Sequence, residues 1–284
     1  MRNILNFNDN WHFCKTAEVP ASLPVWVHVT LPHTWNAADG QDGGNDYWRG
    51  TAMYAKAFSK PDHEGAVVLE FLGAAMTADV YLNGTHLAHH EGGYSTFRAD
   101  ITELCKAEGE NLLVVACSNI ANDYVYPQNA DFTFYGGLYR GVNIISVPDA
   151  HFDLEYYGGP GIMVTPKPTD CGGATFEVEA FVKNADENFT VQYTILDEEG
   201  KEVAYASRPA SAPRTTIFLP DAQLWDFENP YLYTVIAELL RRNEVYDEID
   251  TRVGVRSFCV AWNFMCNTIC DMMKNRIWNL FNRC

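Results

Sequence analysis

The chain has 284 residues, 47% of them hydrophobic and 20% charged, with a formal net charge of −17. That is enough apolar mass for sizeable cores, and at roughly 100–200 residues per domain it predicts two domains. The negative charge argues against a nucleic-acid backbone or an anionic membrane as partner, since both would repel it, and suits a neutral ligand.

The opening MRNILNFNDNWHF holds no apolar run between a basic segment and a small-residue cleavage site. It does not read as a secretory signal, and the expectation is a cytoplasmic protein. No stretch approaches the about 20 consecutive apolar residues of a membrane span. After Asn-Asp turn signals, a strand is predicted over Val25–Leu31. A long loop rich in Asp, Gly and Asn follows from Ala38 to Asp46 and ends in Tyr47-Trp48-Arg49-Gly50. Long loops inside compact domains are often functional. The next strand, Ala52–Phe58, puts Ala52, Tyr54, Lys56 and Phe58 on one face and Met53, Ala55 and Ala57 on the other, so its alternation is only partial.

Residues 65–120 carry the clearest strand pattern. Ala66–Phe71 and Ala78–Leu82 are strands, Asn83-Gly84 is a primed hairpin turn, and Thr85–His90 returns. Glu91-Gly92-Gly93-Tyr94 turns again before Phe97–Thr102, and Leu112–Ser118 completes the set. Short strands with turn chemistry between them, and no helical period, predict an all-β sandwich or jelly roll.

The segment Asn129–Gly141, NADFTFYGGLYRG, joins an acid (Asp131) to an aromatic run and a Gly-Gly corner. The two glycines permit a sharp turn. Leu138–Val147 then reads as a strand. Asp131 on such a loop fits two roles. It either caps a turn beside core aromatics, or accepts sugar hydroxyls beside rings that pack on the C–H face of a pyranose.

Near Pro148-Asp149 the pattern resets. Strands are predicted over Phe152–Tyr157, Ile162–Thr165, Ala174–Lys183, Phe189–Leu196, Glu202–Ala206, Thr215–Leu219, Leu232–Leu240 and Tyr246–Val253. Short strands over about 100 residues are the size of an immunoglobulin-like sandwich. The last 26 residues, Cys259–Cys284, hold four of the eight cysteines and many Met and Asn residues. Apolar positions there have near-helical spacing, which allows a short amphipathic helix. Cys266 and Cys270 would share its face like Zn ligands, but a closed zinc site needs four ligands and no further Cys or His is placed to help, so no metal site is assigned.

Taken together, these motifs resemble the N-terminal part of glycoside hydrolase family 2, the family of β-galactosidases, β-glucuronidases and β-mannosidases. The matching pieces are LPHTWN (31–36) followed by DYWRGTAMYAKAF, ADVYLNG (78–84), HEGGYSTFRADIT (90–102), GENLLVV (109–115), DFTFYGGLYRGV (131–142), LWDFENPYLYTV (224–235) and GVRSF (254–258). The resemblance implies a jelly-roll sugar-binding domain over 1–149, an immunoglobulin-like sandwich over 150–258, and then a catalytic TIM barrel. No barrel follows here, and the 26 residues after Phe258 do not resemble the segment that begins one. A frameshifted or truncated end is the expectation.

Retaining glycosidases need two carboxylates about 5–5.5 Å apart. The resemblance puts both on the barrel, so no catalytic residue is assigned in this chain. Among its own acids, Glu70, Asp79 and Glu91 each read as a surface or turn residue. The histidines form no nucleophile constellation, and His33 reads as structural. By resemblance, Asp131 reaches from the jelly roll to contact the glycone, and the Asn45-Asp46 loop leans toward the same pocket. Arg140 would anchor the strand after the corner. Asn83 and Asn188 sit in glycosylation-type triplets that read as coincidental. No cofactor is implied. The expected partner is a carbohydrate with a terminal β-linked sugar, in a β-galactosidase-like chain that is inactive alone. The alternatives are a stand-alone carbohydrate-binding module and a non-functional remnant, and an uncovered domain face would favour self-association.

Overall fold

A computed structural model describes residues 1–37, 47–125, 133–170, 172–261 and 264–267. Every regular element among them is a β-strand, and no described helix is long and apolar enough to cross a membrane. The chain separates into two compact units. The first is Arg2–Asp149 with Tyr157–Gly159, and the second is Ala150–Tyr156 with the residues from Pro160 on.

The first unit contains β1 (Asn3–Asn6), β2 (Trp11–Cys14), β3 (Val27–Val29), β4 (Thr51–Phe58), β5 (Ala66–Phe71), β6 (Thr77–Leu82), β7 (Thr85–Glu91), β8 (Phe97–Asp100), β9 (Asn111–Ser118) and β10 (Val142–Val147). They form a four-stranded sheet, β1-β10-β5-β8, and a six-stranded sheet, β3-β2-β4-β9-β6-β7, with every ladder antiparallel. The main core joins residues of both sheets, with Trp11, Tyr54, Leu69, Phe71, Leu113 and Ile144 among them. This is the expected jelly-roll sandwich.

The partial alternation of β4 has a simple cause. Ala52, Tyr54 and Phe58 enter the main core, while Met53 and Ala55 pack with Val114 and Ala116 of β9 on the opposite face, under Trp26 and Tyr81. A strand covered on both faces does not alternate cleanly. Lys56 shares the main-core face. Its ammonium donates to the carbonyls of Phe7 (3.0 Å) and Asp9 (2.6 Å) and sits 3.7 Å from the centre of the Phe7 ring. Burial lowers its pKa to about 8, against the raising influence of Asp9. The Asn83-Gly84 turn has φ of 52° and 84°, the primed geometry that hairpin twist demands.

The second unit begins with β11 (His151–Phe152), β12 (Ile162–Pro168), β13 (Ala174–Ala180) and β14 (Val182–Lys183). Then come β15 (Phe189–Leu196), β16 (Glu202–Pro209), β17 (Thr215–Leu219), β18 (Tyr233–Arg241) and β19 (Glu244–Val253). Sheets β12-β13-β17 and β16-β15-β18-β19 face each other across a core of Phe176, Val178, Val191, Tyr193, Val235 and Leu239, and β11 pairs with β14. Strands such as β13 and β18 alternate between buried and half-buried residues, as a sandwich with one wet face per sheet requires. This is the expected immunoglobulin-like sandwich. Buried Asp247 anchors it by accepting from the Phe152 amide at 2.8 Å.

Several expected elements differ. Strands β1 and β2 lie where only turns were expected. The Phe152–Tyr157 strand shrinks to β11, and Ala174–Lys183 divides into β13 and β14. The Val25–Leu31 strand shortens to β3, and the strand after the Gly-Gly corner starts at Val142, not Leu138. Residues 137 and 138 instead bond to two loops, through the Ala75–Gly137 bridge and a His33 amide donating to the Leu138 carbonyl at 2.9 Å. Near the C-terminus, the backbone of β20 (Phe258–Ala261) pairs with β21 (Phe264–Asn267), so the start of the expected helix is a strand pair. Cys266 lies in β21, and Cys270 lies outside the described residues.

Candidate functional site

The Gly136-Gly137 corner is a junction of four chain segments. Buried Asn36 accepts from the Gly136 amide (2.8 Å) and donates to the Trp48 carbonyl (2.9 Å). Asn119, also fully buried, donates to Asn36 (3.2 Å) and toward the carbonyls of Trp48 and Phe134 (3.2 Å each), and accepts from the Gly50 amide (2.8 Å). Two amide side chains thus tie residues 36, 48–50, 119 and 134–136 together. Buried amides hold firmly only when satisfied, which is the case here. Neither role was visible in the sequence. Asn36 ends the LPHTWN motif, but its partner lies 83 positions away.

The two glycines serve the corner differently. At Gly136 a Cβ would overlap the Trp35 ring, so the requirement is steric. Gly137 has φ of +119° and its Cβ would overlap the Tyr54 hydroxyl, so it needs both the left-handed backbone and the space. His33 Nδ1 and the Tyr54 hydroxyl are 2.8 Å apart beside this corner, and burial lowers the His33 pKa, which keeps the ring neutral. It is the structural histidine expected. Arg140 donates to the carbonyls of Tyr94 (2.8 Å) and Leu72 (3.3 Å), an anchoring role as expected.

Beside the corner lies a cavity of about 420 Å³, lined by Tyr94, Phe134, Tyr135 and Tyr139 together with Thr34, Ala75 and Thr133. Tyr94 and Tyr139 meet edge to face at 6.4 Å. Phe134 is buried, while Tyr94 and Tyr135 are exposed. The three residues expected at a sugar site, Asp131, Asn45 and Asp46, all lie outside the described residues. Asp131 is two positions along the chain from Thr133 of the cavity wall.

The acids considered for catalysis are committed elsewhere. Glu70 is not the surface residue expected. It is buried, takes two bonds from Arg98 (3.0 and 2.7 Å) and one from Asn143 (2.9 Å), and Arg98 also donates to the Gly159 carbonyl (2.6 Å). An acid in strand β5 is tolerated there because its charge is fully paired. Asp79 sits at 2.9 Å from His86 and 2.8 Å from His89 on the β6–β7 hairpin. Burial raises its pKa somewhat, but those two partners bring it below the usual carboxylate range, and Asp79 raises that of His89. Glu91 stands 3.4 Å from His89. Asn83 is held by Asn111 and by the Leu104 carbonyl, which fits a turn residue. Among the described residues no group of three or more His, Cys, Asp or Glu is placed to hold a metal ion.

Comparisons with known proteins agree with this architecture. The family model for the sugar binding domain of glycosyl hydrolases family 2 matches residues 8–148, and a second family 2 model matches residues 161–256. A solved structure described as an FMN-binding β-glucuronidase from F. prausnitzii L2-6 is 54% identical, with a TM-score of 0.84 over 92% of this chain and 40% of its own. A β-glucuronidase of Formosa agariphila is 28% identical over 90% of this chain, and a β-galactosidase of Bacteroides ovatus is 31% identical over 89%. The chain spans 30% and 31% of the length of these two curated relatives. Two matched domains in register, on two matching sandwiches, establish that the chain belongs to glycoside hydrolase family 2.

Proposed function

We propose that this chain supplies the substrate-facing β domains of a glycosidase acting on terminal β-linked sugars. The observation that carries the reading is the clamped corner. Asn36 and Asn119 fix Phe134 and Gly136, a few positions along the chain from Asp131, and a preorganised segment loses less freedom on binding. Asp131 contacts the glycone, with Asn45 and Asp46 on a second loop of the same pocket. The relatives include both β-glucuronidases and β-galactosidases. The 54% identical structure is of the former kind, so a β-glucuronide is the first substrate to test and a β-galactoside the second. FMN belongs to the description of that one relative, and the reading does not depend on it.

Hydrolysis is not assigned to the described residues. Glu70 is buried in its ion pair and Asp79 is held by two histidines, so neither is placed as an acid or nucleophile flanking a sugar. The chain 1–284 alone is expected to bind sugar weakly, on the order of millimolar, because a few exposed hydrogen bonds barely offset the cost of ordering. Titration of the chain with methyl β-D-glucuronide and methyl β-D-galactoside by NMR tests this. Weak binding that disappears in Asp131→Ala supports the reading. Binding unchanged in Asp131→Ala, or none by the parent chain, contradicts it.

A further inference from the structure

The edge of the six-stranded sheet carries a histidine pair that the corner does not use. Strand β2 packs Trp11 and Phe13 on the main core, and period two then puts His12 on the outer face. The β2–β3 register sets His28 directly opposite His12, so both rings share that face. Strand β3 is the last of its sheet, and His28 is exposed. The two ring centres are 4.1 Å apart and the planes are inclined by 52°. Buried His12 Nδ1 has no hydrogen-bond partner among the described residues. The hydrogen bond between this ring and the Pro24 backbone therefore falls to Nε2. Burial and then the neighbouring His28 lower the His12 pKa and outweigh that bond, so the ring is neutral at neutral pH.

A neutral imidazole that donates through Nε2 presents a lone pair at Nδ1. Metal-binding histidines are held in this way, with the second nitrogen on a carbonyl fixing tautomer and ring orientation. Rotation of the exposed His28 ring about its soft χ2 torsion brings a second nitrogen to the same ion. Two nitrogens each about 2.0–2.1 Å from one ion are at most roughly 4.2 Å apart, a span that rings centred 4.1 Å apart can meet. We propose that His12 and His28 form an open two-histidine site for a late divalent transition cation of the Ni²⁺ or Cu²⁺ kind, with water completing its tetragonal shell. Imidazole and water suit those ions, whereas a closed structural zinc centre needs four protein ligands. A bound ion ties edge strand β3 to β2 and stabilises the folded state that presents the pair. The site does not rest on the function proposed above.

The test uses chain 1–284 with Ni²⁺ alone as the probe, read by the histidine ring signals in NMR and by the melting temperature. The His12 and His28 signals are expected to broaden saturably at lower Ni²⁺ than those of His86 and His89, whose rings already share Asp79. Ni²⁺ is expected to raise the melting temperature of the parent. His28→Gln should weaken binding at His12 by more than about tenfold, the least that disturbing a ligand's supporting partner costs, and should abolish the rise. His28 is exposed, so this change does not open a core. His86→Gln should alter neither readout. Unchanged Ni²⁺ affinity at His12 in His28→Gln overturns the proposal, as does an equal loss in His86→Gln. Broadening that begins at His86 and His89, or that spares His12 and His28, shows that other groups take the ion and overturns it as well.

Discussion

Asn119 donates to Asn36 across 3.2 Å at a point where neither side chain meets solvent. Removing the Asn119 amide takes the acceptor from the Gly50 amide and a donor from the Phe134 carbonyl, and removing the Asn36 amide takes the acceptor from the Gly136 amide. An unsatisfied buried group costs about 1–3 kcal/mol. Asn119→Ala is therefore expected to lower stability by about 3 kcal/mol in urea unfolding, and Asn36→Asp to be harmful too, because it loses the donor to Trp48 and buries a charge. A change under about 0.5 kcal/mol for Asn119→Ala would show that water or another group replaces it.

The glycines of the corner are not equivalent to those of the surface turns. Gly136→Ala forces a methyl into the Trp35 ring, and overpacking of this kind typically costs about 1–3 kcal/mol. Gly84→Ala meets nothing within 4 Å and incurs only the left-handed backbone penalty, about 1–2 kcal/mol. Thermal unfolding should rank Gly137→Ala as most damaging, since both penalties apply there. Equal melting temperatures for all three variants would refute this account of the corner.

Glu70 and Arg98 form a buried pair, with side chains about 10% and 9% exposed. Breaking such a pair from one side typically costs about 3–5 kcal/mol. Arg98→Met is expected to fall in that range, and Arg98→Met with Glu70→Leu to recover much of the loss. A double-mutant cycle with no coupling would count against the pair.

Lys56 gives a pH signature. Its folded pKa of about 8 lies below its ordinary value of 10.5. Between those values the unfolded chain holds a proton that the folded chain has released, so stability rises with pH through that window. Below about pH 8 both states are charged and the contribution is flat. Lys56→Met should abolish the rise, which chemical denaturation from pH 7.5 to 10.5 would reveal.

The second unit was legible because its strands bury one face. Strands β13, β15 and β18 alternate strictly enough for period two to announce them. In the first unit, β1 and β2 are only four residues long and lie among Asn and Asp, so turn signals masked them. The beginning of the predicted strand at Leu138 was lost because its backbone bonds to the His33 and Ala75 loops, which periodicity does not register. The family motifs located the corner and the residues around it. The Asn36–Asn119 clamp was hidden because it joins residues 83 positions apart through side chains alone, and the Glu70–Arg98 pair because the β5–β8 register that sets them opposite each other joins residues 28 positions apart.

The most direct test of the account is turnover of nitrophenyl β-D-glucuronide and nitrophenyl β-D-galactoside by purified chain 1–284 beside its Asp131→Ala variant. The account predicts no hydrolysis above buffer by either protein, with aryl-glycoside binding by the parent that weakens in the variant. Hydrolysis by the parent that vanishes in Asp131→Ala would contradict it, and would place a catalytic pair within these β domains.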